Sequence, residues 1–399
     1  MRVLFLTSEV PHPALSGGTI KTASVLDYLK GRHDVHVLCF RRHPLTEAQA
    51  TWCANLQEVE TLPLNRGRTP LNLARSYLRR LPLSVERNRS ARMMELVSER
   101  LRERVYDAVF VDGWLMAQYV PAGFKRLAVL HEHNAEYVMW RRQAERERNP
   151  LLRSLIRLEY RRVRGYEAAI LPRFDAVFAV SEADRQALVA LGAQPERLRV
   201  LPNLPEPSLL ESPPLSFAAT EPVVLYFGTL SWPANVEGLQ YLFTSVWPHV
   251  RQRMPEARLV IAGSGAPAWL LRLARRTAGT EFLGPVMDAE PLYRRARLFV
   301  EASRSGGGTR LKVLNALARG LPVVTSPEGA EGLEVVDAEH LLVSAGPESM
   351  AEAMCRLMGD EGLWRTLSEN GRTLIRSCYT AETAYRALDE VLDGTGAKV

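Results

Sequence analysis

Arg310 and Lys312 follow Gly306-Gly307-Gly308 and Thr309 directly. The glycines come after Leu298-Phe299-Val300, an apolar run that reads as the end of a strand. They open a helix, which Gly320 ends and Pro322 cannot continue. A glycine loop feeding a helix presents free backbone N–H groups and the positive end of the helix dipole, which together make an anion site. The first turn of a helix favours acids, so two cations there predict an anionic partner. A diphosphate is the natural candidate. The plain alternative is a glycine-capped helix with solvated basic residues.

Two further clusters could do chemistry. Gly17-Gly18-Thr19 follows the run Val3 to Leu6 and leads into a helix ended by Gly31, with Val35 to Phe40 as the next strand. Such a unit is a right-handed parallel crossover, which puts Gly17 and Gly18 at the carboxyl end of the first strand. A simple tight loop explains the same pair. The run His131-Glu132-His133-Asn134-Ala135-Glu136-Tyr137 follows the strand Leu127–Leu130. Its histidines lack the i, i+4 spacing of a zinc helix, so a polar ligand-binding loop is expected rather than a metal site.

The elements that must position these residues fill a chain of 399 residues, enough for two domains. Hydrophobic residues make up 46% and charged residues 24%, which suits a globular protein. No apolar run reaches the roughly 18 residues of a membrane-spanning helix. Met1 to Thr7 is too short an apolar core for a secretory signal and reads as a first strand. Cys39, Cys53, Cys355 and Cys378 show neither metal nor disulfide spacing, as in a cytoplasmic protein with reduced thiols. The net charge of +6 permits an anionic substrate, an anionic membrane or nucleic acid. Nucleic acid is disfavoured, because no basic-aromatic interleaving accompanies the charge.

Strand and helix signals alternate along both halves. Residues 44–104 read as mostly helical. Residues 139–166 read as one long basic helix, with Arg141, Arg142, Arg146, Arg148, Arg153, Arg157, Arg161, Arg162 and Arg164, broken or restarted at Pro150. It is either a solvated face or a patch for an anionic membrane surface. Prolines at 205, 207, 213, 214 and 222 mark a linker. The expected fold class is α/β, two doubly wound Rossmann-like domains. The first spans 1–207 and the second 208–375, with a C-terminal helix over 376–399 packing back on the first.

The segments Gly228-Thr229-Leu230-Ser231-Trp232, Val260 to Gly265, Phe282-Leu283-Gly284 and Gly306 to Ser326 resemble glycosyltransferase family 4, the retaining nucleotide-sugar enzymes of the GT-B fold. Gly17-Gly18, His133-Asn134, Ser181-Glu182 and Pro202-Asn203 match more loosely. The resemblance implies two domains facing across a cleft. It implies that Gly17 and Gly18 approach the donor phosphates, that His133 acts at the reaction centre and that Arg310 and Lys312 hold the diphosphate. Gly228 and Thr229 would line the donor site, Phe282 and Leu283 would meet the base, and Gly306, Gly307, Gly308 and Thr309 would lie beside the sugar. Two glutamates eight positions apart are usual in the family, the second for the ribose; here those positions are Gly307 and Asn315, and Asn315, which can donate and accept hydrogen bonds, is still expected at the donor. Asn235 and Glu237 stand where many members place a phosphate-binding Arg or Lys.

The chemistry this implies needs no metal and no cofactor, the nucleotide sugar being a co-substrate. The sequence has no Asp-x-Asp, and cations at a helix N-terminus stabilise a leaving diphosphate by the same electrostatics. Retention follows from the resemblance alone. The expected function is therefore transfer of a sugar to a glycan, lipid-linked or small-molecule acceptor in cell-surface polysaccharide or glycoconjugate synthesis. The expected location is cytoplasmic, at the inner face of the membrane. A non-catalytic nucleotide-sugar-binding member and a nucleotide-sugar epimerase on the same fold stay open as alternatives.

Overall fold

The computed structural model describes residues 1–14, 16–56, 58–64, 67, 69–304 and 309–394. The chain forms two units, Met1–Pro202 with Tyr385–Val399, and Asn203–Ala384.

The first unit holds seven strands: β1 (Arg2–Thr7), β2 (Asp34–Arg41), β3 (Glu58–Pro63), β4 (Ala108–Asp112), β5 (Leu127–His131), β6 (Ala176–Ala179) and β7 (Leu198–Val200). Their order is β3-β2-β1-β4-β5-β6-β7 and every pairing is parallel. Helices cover both faces, so β1 from Val3 to Thr7 and all of β4 are buried, which is why they read as unbroken apolar runs. The strand order reverses between β1 and β4. Open α/β sheets bind ligands at such a point, beyond the carboxyl ends of the strands.

The second unit repeats the plan with β8 (Val223–Phe227), β9 (Arg258–Ala262), β10 (Thr280–Gly284), β11 (Leu298–Glu301), β12 (Val323–Thr325) and β13 (Leu342–Val343). The order is β10-β9-β8-β11-β12-β13, again parallel, with the reversal between β8 and β11.

Three expectations need correction. Residues 44–104 contain an edge strand, β3, among their helices. Its Glu58 and Glu60 disguise it in the sequence; they are tolerated because Arg2 pairs with Glu58 at 3.1 Å and Arg100 with Glu60 at 2.6 Å. The basic segment 139–166 is two helices rather than one, Glu136–Arg146 and Pro150–Ile170, with the restart at Pro150 as expected. Asn149 caps the second, accepting from Leu151 N at 3.0 Å, and Pro150 occupies its first turn. The third concerns the helix after the glycine triplet. It begins at Leu311, so Arg310 is its N-cap rather than a first-turn residue.

The C-terminal segment reaches the first unit through polar contacts of aromatic side chains. Tyr385 Oη lies 2.8 Å from Ser24 Oγ, and Tyr28 Oη donates to Asp389 at 2.5 Å. The two units divide after Pro202 and after Ala384.

In the second unit Gly263 fixes how closely two strand-end loops approach. Its φ is +154°, and a Cβ built there would lie 1.9 Å from the carbonyl oxygen of Gly228. Gly263→Ala should therefore destabilise this unit by about 3 kcal/mol. Urea denaturation of the variant beside the parent checks this, and unchanged stability refutes the packing account.

Candidate functional site

In the first unit the switch point is built around one carboxylate. Asp112 ends β4 and is 2% exposed. Its Oδ1 lies 2.8 Å from His131 Nδ1 and 2.9 Å from His133 Nε2. Its Oδ2 accepts from Thr7 Oγ1 at 3.3 Å and Thr22 Oγ1 at 2.5 Å. Burial alone would raise this carboxyl, but His133 and His131 outweigh it and hold the group well below the usual range. An ionised carboxylate only accepts, so both imidazoles present N–H to it. Burial pushes His131 down to about 3, so it is neutral, with its proton on Nδ1. Burial would lower His133 too, yet Asp112 raises it above the ordinary value. The free edge of His133 faces the helix Gly17–Lys30: its Nδ1 lies 3.8 Å from where a Cβ on Gly18 would be. That helix begins with a Ser16–Thr19 capping box. The structure thus brings together Gly17, Gly18 and His133.

Asp112 and Lys21 were not legible as site residues. Lys21 is buried and donates to the carbonyls of Leu201 at 2.9 Å and Pro202 at 2.5 Å. Asp112 looks in the sequence like any polar strand end. Among the described residues, Asp112, His131 and His133 are the group whose ligand atoms come close enough, within 4.8 Å, for a metal ion. Their mutual hydrogen bonds account for that closeness.

Glu132 takes no part in these hydrogen bonds. It is fully buried, and among the described residues the Trp114 backbone is the hydrogen-bonding group that approaches its carboxyl. Glu167 lies close by and caps the next helix, accepting from Glu136 N at 2.9 Å and Tyr137 N at 2.7 Å. Burial and the neighbouring Glu167 push the Glu132 carboxyl far up.

The second unit's switch point also centres on a carboxylate. Glu301 ends β11, is fully buried, and accepts from Ser303 N at 3.0 Å. Its other oxygen pairs with Lys312 Nζ at 2.5 Å. Lys312 donates as well to Tyr226 Oη and Asn235 Oδ1, both at 2.8 Å, so its three protons are all engaged. Burial would raise the Glu301 carboxyl, but Lys312 and Arg310 hold it below the ordinary value. Burial lowers Lys312, opposed by Glu301.

Gly228 follows β8 beside this pair; a Cβ there would meet Asn235 Nδ2 at 3.5 Å and Lys312 Nζ at 3.8 Å. Asn235 also donates to the Thr229 carbonyl at 2.7 Å, so it braces the loop. Arg310 is part-buried and donates to the Glu328 carbonyl at 3.3 Å. Thr309 is buried, and its carbonyl accepts from Asn203 Nδ2 at 3.3 Å. Asn315 Oδ1 accepts from Glu206 N at 3.0 Å, so its amide anchors the linker. Phe282 and the exposed Leu283 lie at the end of β10, where the pairing with β9 is irregular. Gly306, Gly307 and Gly308 lie outside the described residues. Arg319 is 3% exposed and held by Glu290 at 2.7 Å.

The sequence matches the family described as glycosyl transferases group 1 over residues 221–360. Residues 16–204 match the glycosyl transferase 4-like domain. An uncharacterized 44.6 kDa protein in the cps region of Klebsiella pneumoniae is 21% identical over 97% of this chain and 98% of its own length. An exopolysaccharide phosphotransferase of Streptomyces coelicolor is 30% identical over 50% of this chain and 21% of its own. Anabaena HepE, solved in complex with UDP and glucose, superposes with a TM-score of 0.67 at 17% identity, over 98% of this chain and 99% of that one. That last likeness is one of fold.

Two outcomes test these environments. Lys312→Ala strands a buried carboxylate and should cost about 3–5 kcal/mol in urea denaturation, while Glu301→Gln with Lys312→Met should recover most of the loss. Equal losses in both variants would show that the pair is not what matters. For Glu132, the folded value lies above the unfolded one, so the folded state keeps a proton that the unfolded chain gives up. Its stabilising contribution is therefore full below about pH 4.3 and is lost as pH rises toward the folded value. Glu132→Gln should flatten the fall in melting temperature as pH rises above about 5; parallel curves for variant and parent would contradict it.

Proposed function

We propose, for a chain that belongs to the group 1, 4-like glycosyltransferases, that it moves a sugar from a nucleotide-sugar donor to a glycan, lipid-linked or small-molecule acceptor in cell-surface polysaccharide synthesis. Transfer proceeds with retention, without a metal, and at an anionic membrane surface. The observation that carries the reading is the set of cations at the second unit's switch point. Arg310 caps the helix Leu311–Arg319 and Lys312 lies in its first turn. Relatives from a cps region and an exopolysaccharide enzyme support the pathway, and HepE with UDP and glucose supports the donor class.

In this reading charge grows on the diphosphate as the bond to the sugar breaks. The helix N-terminus, Arg310 and Lys312 stabilise that charge without rearranging. Lys312 arrives already paired with Glu301, so much of its field is cancelled, and Arg310 supplies the larger share. The leaving phosphate takes the acceptor proton, so no protein base is required. His133 positions the reacting groups, held by Asp112.

A second reading has one specific support. Asn315, in the place of the family's ribose-binding acid, is engaged by Glu206 N, as suits a member that binds donor without turning it over. Transfer by the parent protein eliminates that reading.

The test is turnover of UDP, GDP, dTDP and ADP sugars by the parent and by Arg310→Ala. With the preferred donor the variant should lose roughly 10²-fold in turnover while keeping the parent's melting temperature. A variant as active as the parent removes Arg310 from the site.

A further inference from the structure

The large apolar side chains left in solvent gather on two helices of the first unit. Leu71, Leu73, Tyr77 and Leu78 are exposed on Pro70–Leu78, and Leu151, Leu152, Leu155 and Leu158 on the first half of Pro150–Ile170. Leu78 and Leu151 are 84% and 78% exposed. Leu151, Leu155 and Leu158 recur at i, i+4 and i+7, which stacks them in one stripe.

The two helices are neighbours. Arg162 donates to Ser76 Oγ at 2.5 Å, and its guanidinium lies 4.6 Å from the centre of the Tyr77 ring. Glu159 of the second helix accepts from Leu83 N at 2.5 Å, just beyond the first. The apolar side chains therefore crown adjoining elements. A grouping of this size on a monomer marks an interaction surface.

Charge selects the partner. Residues 70–80 carry Arg75, Arg79 and Arg80 and no acid, with Arg79 paired to Glu86 at 2.9 Å. Residues 148–158 carry Arg148, Arg153 and Arg157 and no acid. Arg161 follows, exposed, one turn beyond Arg157. The flanking acids are engaged: Glu147 accepts from Asn149 N at 2.8 Å, and Glu159 from Leu83 N at 2.5 Å and Arg162 at 2.9 Å. Leucines flanked by arginines suit an anionic bilayer, where the apolar tips enter the interface and guanidinium groups meet the lipid phosphates. A second copy of the same face would set arginine against arginine.

We infer that the Pro70–Leu78 helix and the first half of the Pro150–Ile170 helix form one face that docks on an anionic lipid bilayer. No helix of the described chain is long and apolar enough to cross a membrane, so the contact is peripheral. This contact needs neither donor nor acceptor.

The test is co-sedimentation of the full chain with phosphatidylcholine vesicles, with and without phosphatidylglycerol. The parent should bind only the anionic vesicles, and salt should weaken binding. Two variants probe the face: Leu78→Ser with Leu151→Ser and Leu155→Ser, and Arg157→Glu with Arg161→Glu. Each should bind about tenfold more weakly or worse, with the parent's circular dichroism and melting temperature, because these side chains are exposed. A parent that stays in the supernatant overturns the inference, as do folded variants that bind like the parent. Sedimentation velocity without vesicles gives the remaining outcome. A parent dimer that the leucine variant abolishes would assign the face to a second copy and refute the bilayer. Because vesicle binding is read without nucleotide sugar, it fails or succeeds independently of transferase activity.

Discussion

A carboxylate sealed away from water has to be surrounded by donors, and each sheet places one at the same topological point. Asp112 ends β4, the strand beside β1, and Glu301 ends β11, the strand beside β8. Both are almost wholly buried, and each organises a side chain that can carry positive charge: His133 in the first unit and Lys312 in the second. The strand reversal opens space at these ends, and the carboxylates decide what stands in it. Thr7, Thr22, His131 and His133 converge on one acid; Ser303 and Lys312 converge on the other.

The two solutions differ in what they leave available. Asp112 holds His133 by one nitrogen and leaves the other edge of the ring toward Gly18. Glu301 takes one proton of Lys312 while Tyr226 and Asn235 take the others. Lys312 is thus a preorganised but compensated cation. Asn235, which replaces the cation many family members place there, becomes a brace between Lys312 and the Thr229 carbonyl. Asn315 makes a similar change of role. Its amide oxygen holds the Glu206 backbone N–H.

The surface follows a different logic from the sites. The arginines of residues 139–166 look like one face when drawn on a single helix, but the cap at Asn149 and the ring of Pro150 divide them between two axes. Leu151, Leu155 and Leu158 stand exposed on the second of these, and a neighbouring helix some seventy residues earlier exposes leucines of its own. Charge and apolar area are local properties, whereas their combination into one face is not.

Much of the architecture is local and was readable. Buried parallel strands are continuous apolar runs, Gly320 adopts the left-handed φ of +81° that ends a helix, and glycine loops stand at strand ends. Spacing from the apolar runs puts Gly17, Gly18, Gly228, Arg310 and Lys312 near strand ends, and the sheet order makes those ends the two switch points. Strand β3 was not readable, because its stability lies in Arg2, Arg100 and Arg104, which come from other elements and neutralise its glutamates. Nor was the status of the charged residues. Whether Lys312 is a free cation or half of an ion pair depends on a glutamate from a different strand, and whether His133 is raised or lowered depends on Asp112, twenty-one positions away. Sequence alone determined where charge and glycine would gather, since backbone geometry is set within a few residues. Tertiary structure alone decided how that charge is compensated, because burial and the electrostatic partner both come from distant parts of the chain.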